Sequence, residues 1–323
     1  MGTALAKLLG EVGRRVSMWV YEPDLAQRIN ETRVNDVFLP GVPLPPTVTA
    51  TSSLEEALFG ASTVFSVTPT QVARSVWSRA GKHLAAGADV VSASKGVETG
   101  SASLMSEVLA AALPGAAARL AFLSGPSFAK EIAAGQPTAV VIAAADPALA
   151  ARIQQLVSTP SFRAYTTDDI VGVELGGAIK NVIAIGVGVA EGMGLGLNAR
   201  AALITRGLAE VTRLAVTCGA NPLTLAGLAG MGDLVLTCTG HLSRNLQVCI
   251  RLGRGESLDA ILGSMHVVAE GVATARSAMI LAARHGVEMP ITEAVTRLLD
   301  GDVAPGDAVR ALMARPLRSE RER

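Results

Sequence analysis

The chain has 323 residues, enough for two domains that each bury a core without metal or disulfide help. Its 28 Lys and Arg balance 28 Asp and Glu, which argues against a broad nucleic-acid or anionic-membrane surface and leaves only a localised anion pocket. Half of the residues are apolar, so the composition is not that of a disordered chain, and three cysteines, Cys218, Cys238 and Cys249, make neither a disulfide framework nor a metal-ligand spacing.

The opening stretch, residues 1–19, is too broken by Gly, Glu and Arg for a secretory segment. The most apolar tract, residues 178–197, carries Lys180, Asn181 and Glu191, which a membrane span avoids. A cytoplasmic protein without a membrane span is expected.

Residues 3–9 are helix formers stopped by Gly13, and VSMWV at 16–20 reads as a short strand. Residues 48–50 are a second strand candidate, and 54–58 a helical turn or two behind Ser52 and Ser53 as cap candidates. TVFSV at 63–67, DVVSA at 89–93, residues 120–123 and the run TAVVIAA within 137–144 read as further strands, with a helix over 70–80. Short apolar strands alternating with helices predict a parallel, doubly wound α/β sheet of Rossmann-like type. Thr68-Pro69, Lys95-Gly96 and Gly125-Pro126 then follow strand ends, where open α/β sheets bind ligands.

From Asp169 onward the pattern changes. Residues 171–190, 199–218, 243–252, 258–262, 271–284 and 291–300 all read helical, punctuated by Pro222, Gly230, Gly232, Gly240 and Gly286. The expectation is an α/β domain over residues 1–170 and an all-helical domain over 171–323.

The N-terminus is unusual for such a fold. A dinucleotide-binding unit wants a strand, then G-x-G-x-x-G, then a helix. Only the last glycine of that pattern has a place here, Gly2, with Glu22 suitably spaced to meet an adenosine ribose. On local evidence an ordinary helix start fits Gly2 better. On the first reading, the opening strand and two phosphate-loop glycines are absent, leaving an exposed sheet edge and a weakened pyrophosphate site.

Lysine is scarce: Lys7, Lys82, Lys95, Lys130 and Lys180 stand against 23 arginines. Where Arg is the routine cation, a lysine in an apolar or Gly-rich segment points to chemistry Arg cannot do. Lys180, in GGAIKNVIAIGVG, is a candidate for proton transfer through a burial-lowered pKa. The alternative is a lysine snorkelling from a domain boundary. Lys95, in SASKGVETG, is a second candidate against an ordinary loop charge.

GLAGMGDLVLTCTGHLSRN, at 227–245, places Asp233 after Gly-x-Gly and Ser243-Arg244-Asn245 at a helix start. A guanidinium fork beside helix amides suits a phosphate; a plain N-cap and a turn aspartate fit the same residues. In GPSFAKE, at 125–131, Ser127 is a cap candidate, while Lys130 and Glu131 face solvent. His83, His241, His266 and His285 have no partner at ligand spacing, so no metal is expected. Trp19 and Trp77 read as packing residues, and an aromatic content of 3% argues against single-stranded nucleic acid.

Taken together, these segments resemble the bacterial-type NAD(P)-dependent glycerol-3-phosphate dehydrogenases. GGAIKNVIAIGVGVAEGMGLGLN carries most of the likeness, supported in chain order by NDVFLPGV, KGVE, GPSFAKE, NARAALITRGLAE, GLAGMGDLVLTCTGHLSRN, VAEG and MPIT. The resemblance implies NAD or NADP as cofactor, a small phosphorylated triose as substrate and a homodimer, serving glycerophospholipid synthesis. It implies that Lys180 exchanges the proton, that Lys95 meets substrate and cofactor, and that Asp233 and Thr237 orient the reacting group. Ser243, Arg244 and Asn245 correspond to phosphate contacts, with Arg244 also on the cofactor. Gly125 and Ser127 fall on the substrate side, and Gly2, Tyr21, Ala129, Val268 and Glu270 on the cofactor side. The family often has Arg where Tyr21 stands, which weakens the case for strict NADPH use. Two other readings stay open: a hydroxyacid dehydrogenase of the same plan, which the phosphate-type SRN disfavours, and a catalytically silent truncated homologue or dimer partner.

Overall fold

The computed structural model describes residues 1–240, 244–256, 258–263, 270–317 and 319–320. The chain divides into two compact units. One comprises Met1–Thr68, Val72–Ser94 and Ser106–Ile170; the other comprises Val171–Arg323 with Pro69–Gln71 and Lys95–Met105.

The first unit belongs to the α/β class. Its elements run α1 (Gly2–Glu11), β1 (Val16–Trp19), α2 (Pro23–Thr32), β2 (Val48–Thr51), α3 (Leu54–Leu58), β3 (Thr63–Ser66), α4 (Thr70–Ala80) and β4 (Asp89–Ser92). They continue with α5 (Met105–Ala112), β5 (Leu120–Ser124), α6 (Ala129–Ala133), β6 (Thr138–Ala144), α7 (Pro147–Val157) and β7 (Phe162–Thr167). β4 and β5 are buried along their whole length, as expected of strands covered on both faces. Ser53 caps α3 by accepting the Glu56 amide, as its sequence position suggested.

The sheet is Rossmann-like but mixed, not all parallel. β1 and β2 form a parallel pair, and β3-β4-β5-β6-β7 form a second sheet in which β6 runs antiparallel to β5. A parallel return needs a long crossover, and α6 is only 5 residues long, so the chain turns back beside β5. Among the described residues, one edge of β1 and one edge of β3 have no strand partner. α1 links the two sheets: Leu5 and Leu8 join the core with Val91, Leu123, Val140 and Ile142, while Ala6 joins Val20, Leu25, Ile29 and Val48.

The second unit is helical: α8 (Ile170–Gly192), α9 (Leu197–Thr217), α10 (Pro222–Ala226), α11 (Asp233–Thr239), α12 (Arg244–Gly253), α13 (Leu258–Gly263), α14 (Glu270–Arg284), α15 (Pro290–Leu299) and α16 (Pro305–Met313). α8 is long and apolar enough to cross a bilayer, yet 78% of that apolar window is buried among the other helices. It is the central helix of this unit, and Leu175, Ile179, Val182 and Ile183 head its core. Glu210 of α9 is buried with its carboxylate accepting the Ile291 and Thr292 amides, which closes the start of α15.

Candidate active site

α8 carries Lys180 on a face that is otherwise apolar, and the side chain is buried, with the residue only 7% exposed. What meets it is set by a glycine one turn earlier. Gly176 and Lys180 share a helix face. A Cβ on Gly176 would lie 2.7 Å from the Ala229 carbonyl oxygen, so glycine lets the backbone of the next segment approach. That segment is a π-helical turn, Leu228–Gly232, of the kind that recurs at functional sites. It ends on Asp233, the first residue of α11, which is 1% exposed.

Asp233 is not a surface turn residue. Its Oδ1 accepts Lys180 Nζ, and its Oδ2 accepts Lys95 Nζ at 2.8 Å. One carboxylate therefore holds two ammonium groups, and the cluster keeps a net positive charge suited to a developing alkoxide. Burial pushes the Lys180 pKa down from 10.5 to about 8; Asp233 opposes that shift and Lys95 adds to it. A lysine so tuned exchanges protons near neutral pH, which Arg does not.

Lys95 belongs to the same unit and is held at both ends. Its carbonyl accepts Asn181 Nδ2 at 3.3 Å. Asn181, beside Lys180 in sequence, counts in the sequence only against a membrane span; its partner is 86 residues away and leaves no local signal. Thr237 is buried one turn beyond Asp233, and its hydroxyl donates to the Asp233 carbonyl at 2.6 Å, fixing the start of α11. Glu270 opens α14 and accepts the Thr70 amide at 3.0 Å. Burial pushes its carboxyl up, against the Thr70 hydrogen bond and the charges of Lys180 and Lys95. Cys238, also buried here, has its thiol pushed up to about 12 by burial, so it is no nucleophile.

Arg244 and Asn245 open α12. Ser243 and Val268 lie outside the described residues. Gly125, Ser127 and Ala129 sit between β5 and β6 in the α/β unit. Gly125 has φ +127°, and a Cβ there would lie 3.0 Å from Val140 Cα, so the position requires glycine. Ser127 is not the N-cap expected for it: Phe128 precedes α6, and the Ser127 hydroxyl donates to the Gly125 carbonyl at 2.8 Å. That bond braces the turn instead of the helix.

The α/β unit also offers groups that fit a dinucleotide. α1 starts at Gly2 with no side-chain cap at Met1, and the first amides of a helix have no partner within it. The buried Ser124 hydroxyl, at the end of β5, has no hydrogen-bond partner among the described residues. Tyr21, just past β1, is 73% exposed and meets Trp19 edge-on.

Two family models match the chain: NAD-dependent glycerol-3-phosphate dehydrogenase N-terminus over residues 1–150, and the C-terminus of the same family over 169–310. The chain belongs to that family. It is 54% identical over 321 residues to a glycerol-3-phosphate dehydrogenase [NAD(P)+] of Geobacter sulfurreducens, covering 99% of this chain and 96% of the relative. Its fold matches the crystal structure of glycerol-3-phosphate dehydrogenase from Coxiella burnetii with a TM-score of 0.92 and 38% identity, over 97% of this chain and 95% of that one. A 2-dehydropantoate 2-reductase from Geobacter metallireducens shares only the fold, at a TM-score of 0.56 and 16% identity, over 93% of this chain and 95% of that one. The chain is thus an NAD(P)-dependent enzyme of the glycerol-3-phosphate dehydrogenase family. Within it, Lys180, Asp233 and Lys95 form one contiguous polar cluster.

Proposed function

We propose that the Lys180–Asp233–Lys95 cluster carries the reversible reduction of dihydroxyacetone phosphate to sn-glycerol 3-phosphate. The observation that carries this reading is Lys180 buried against Asp233 with a pKa near 8, in a chain of this family. When bound, the nicotinamide cofactor supplies or accepts the hydride at the carbinol carbon. Lys180 gives its proton to the developing alkoxide in reduction and takes it back in oxidation. Asp233 keeps Lys180 charged enough to donate, and Lys95 places a second positive charge on the oxygen. Thr237, by holding the Asp233 carbonyl, fixes the carboxylate's place at the helix start.

Arg244 and Asn245, at the start of α12, are assigned the substrate phosphate together with Ser243. A phosphate held away from the reacting carbon turns binding energy into alignment. Gly125 and Ser127 are assigned to the substrate side. Gly2, Tyr21, Ala129, Lys95, Arg244, Val268 and Glu270 are assigned to the cofactor. Tyr21 puts no cation after β1 to favour a 2′-phosphate, so both NADH and NADPH are expected to serve. The product feeds glycerophospholipid synthesis, and we assign a cytoplasmic homodimer.

The test is oxidation of NADH and of NADPH by the purified chain with dihydroxyacetone phosphate, beside a panel of unphosphorylated 2-keto acids. Turnover of the phosphorylated ketone alone supports the reading. Turnover of the keto acids instead, or of nothing, contradicts it.

A further inference from the structure

We infer that Gln71 is a positioning residue for Lys95, setting the backbone from which that lysine reaches Asp233; the inference rests on the proposed role of Lys95. Lys95 begins a segment, Lys95–Met105, that packs within the helical unit and has no regular structure until α5 starts at Met105. Such a segment needs other groups to fix its path.

Gln71, near the start of α4 and in the same unit, grips it with both ends of its amide. Nε2 donates to the Val97 carbonyl at 3.0 Å, and Oε1 accepts the Thr99 amide at 2.8 Å. A carbonyl partner on one side and an N–H partner on the other allow the amide only one orientation. The grip therefore behaves like a short stretch of neighbouring strand, two residues beyond Lys95.

Adjacent contacts make the register unforgiving. A Cβ on Gly96 would lie 2.7 Å from Thr70 Oγ1 and 3.2 Å from Thr274 Oγ1, and both threonines are fully buried. Thr70 is in turn fastened by its amide to Glu270. Asn181 holds the Lys95 carbonyl from α8. Gly96 is thus wedged between two threonines, with Asn181 on one flank and Gln71 on the other. Among these, Gln71 alone fixes two backbone groups downstream of Lys95 by its side chain. Misplacing a reacting group by about 1 Å costs up to about a hundredfold in rate, so a grip of this kind bears on turnover.

The test uses the full chain with Gln71→Met, which keeps the side-chain length and removes both hydrogen bonds. Gln71→Glu, which keeps the Thr99 bond, serves if the Met variant does not fold. Gln154→Met is the control, since Gln154 makes a comparable side-chain bond to the Ala164 carbonyl in the α/β unit. Two readouts are taken on folded protein. The first is the rate of reductive methylation at Lys95 relative to exposed Lys130, read by mass spectrometry. The second is the split between kcat and KM for dihydroxyacetone phosphate reduction.

Gln71→Met should raise the Lys95 labelling rate about tenfold and lower kcat about tenfold, with the cofactor KM within about twofold of the parent. Gln154→Met should change neither. Lys95 labelling at the parental rate in folded Gln71→Met overturns the inference. Raised labelling with parental kcat also overturns it, because the lysine's position would then not matter to the reaction. A parent that turns over no dihydroxyacetone phosphate refutes the proposed function instead, and the labelling arm still decides whether Gln71 holds Lys95.

Discussion

Asp233 divides its two carboxylate oxygens between two lysines, Lys180 from the centre of α8 and Lys95 from the segment after β4. One buried anion between two cations is more constrained than an ordinary ion pair. It sets the charge of the site and the protonation range of Lys180 together.

Replacing Asp233 by Asn tests that coupling. Asp233 raises the Lys180 pKa, so its loss should drop that pKa below the parent's value of about 8. On the proposed mechanism reduction needs the protonated lysine, so turnover should fade at lower pH than in the parent and fall by about a hundredfold at neutral pH. An alkaline limb left where the parent has it would contradict the coupling.

Gly176→Ala addresses how the cluster is assembled. The added methyl group meets the Ala229 carbonyl in the π-helical turn that leads into Asp233. Overpacking at a backbone contact should cost about 1–3 kcal/mol in denaturant unfolding. Turnover should fall with it, because the turn must shift and takes Asp233 along. Parental stability together with parental kcat would show that the approach of the two backbones is not needed.

Glu210→Ala should damage the fold without touching the lysines. It strips two buried amides, those of Ile291 and Thr292, of their acceptor. The expected loss is about 2 kcal/mol of unfolding free energy at neutral pH. Burial raises the Glu210 carboxyl above 4.5, so the folded state holds that proton more firmly than the unfolded chain does. From 4.5 up to the raised value the contribution of Glu210 to stability therefore weakens as pH rises, and Glu210→Ala should lose that part of the pH dependence. Unchanged stability curves would show that the start of α15 is held by other groups.

Much of this architecture was readable in the sequence, for identifiable reasons. The strands at DVVS and LAFLS are buried on both faces, so they appear as unbroken apolar runs. β7 was not visible: FRAYTT buries only Phe162 and Ala164, too few apolar positions to mark a strand. α2 was also passed over, although Pro23 at its first turn is a start signal. Strand direction leaves no trace in periodicity, so the antiparallel β6 had to come from the structure.

Lys180 stood out because a lysine in a run of Gly, Ala, Val and Ile needs a reason to be there. Asp233 was a candidate too, but its pairing with Lys180 was not legible, because a Gly-x-Gly-Asp string reads equally as a turn. Asn181, Gln71 and Thr70 act through groups from 26 to 200 residues away in the chain, including Val97, Thr99, Lys95 and Glu270, and no local pattern reports such pairings.

The most direct test of Lys180 as the proton-exchanging group is the pH dependence of turnover in both directions. Desolvation favours the neutral lysine, so the parent should lose reduction as pH rises through about 8 and gain oxidation over the same range. Lys180→Ala should lower turnover by about a hundredfold or more and remove both limbs. Limbs centred elsewhere in the parent, or limbs near 8 that survive in Lys180→Ala, would contradict the account.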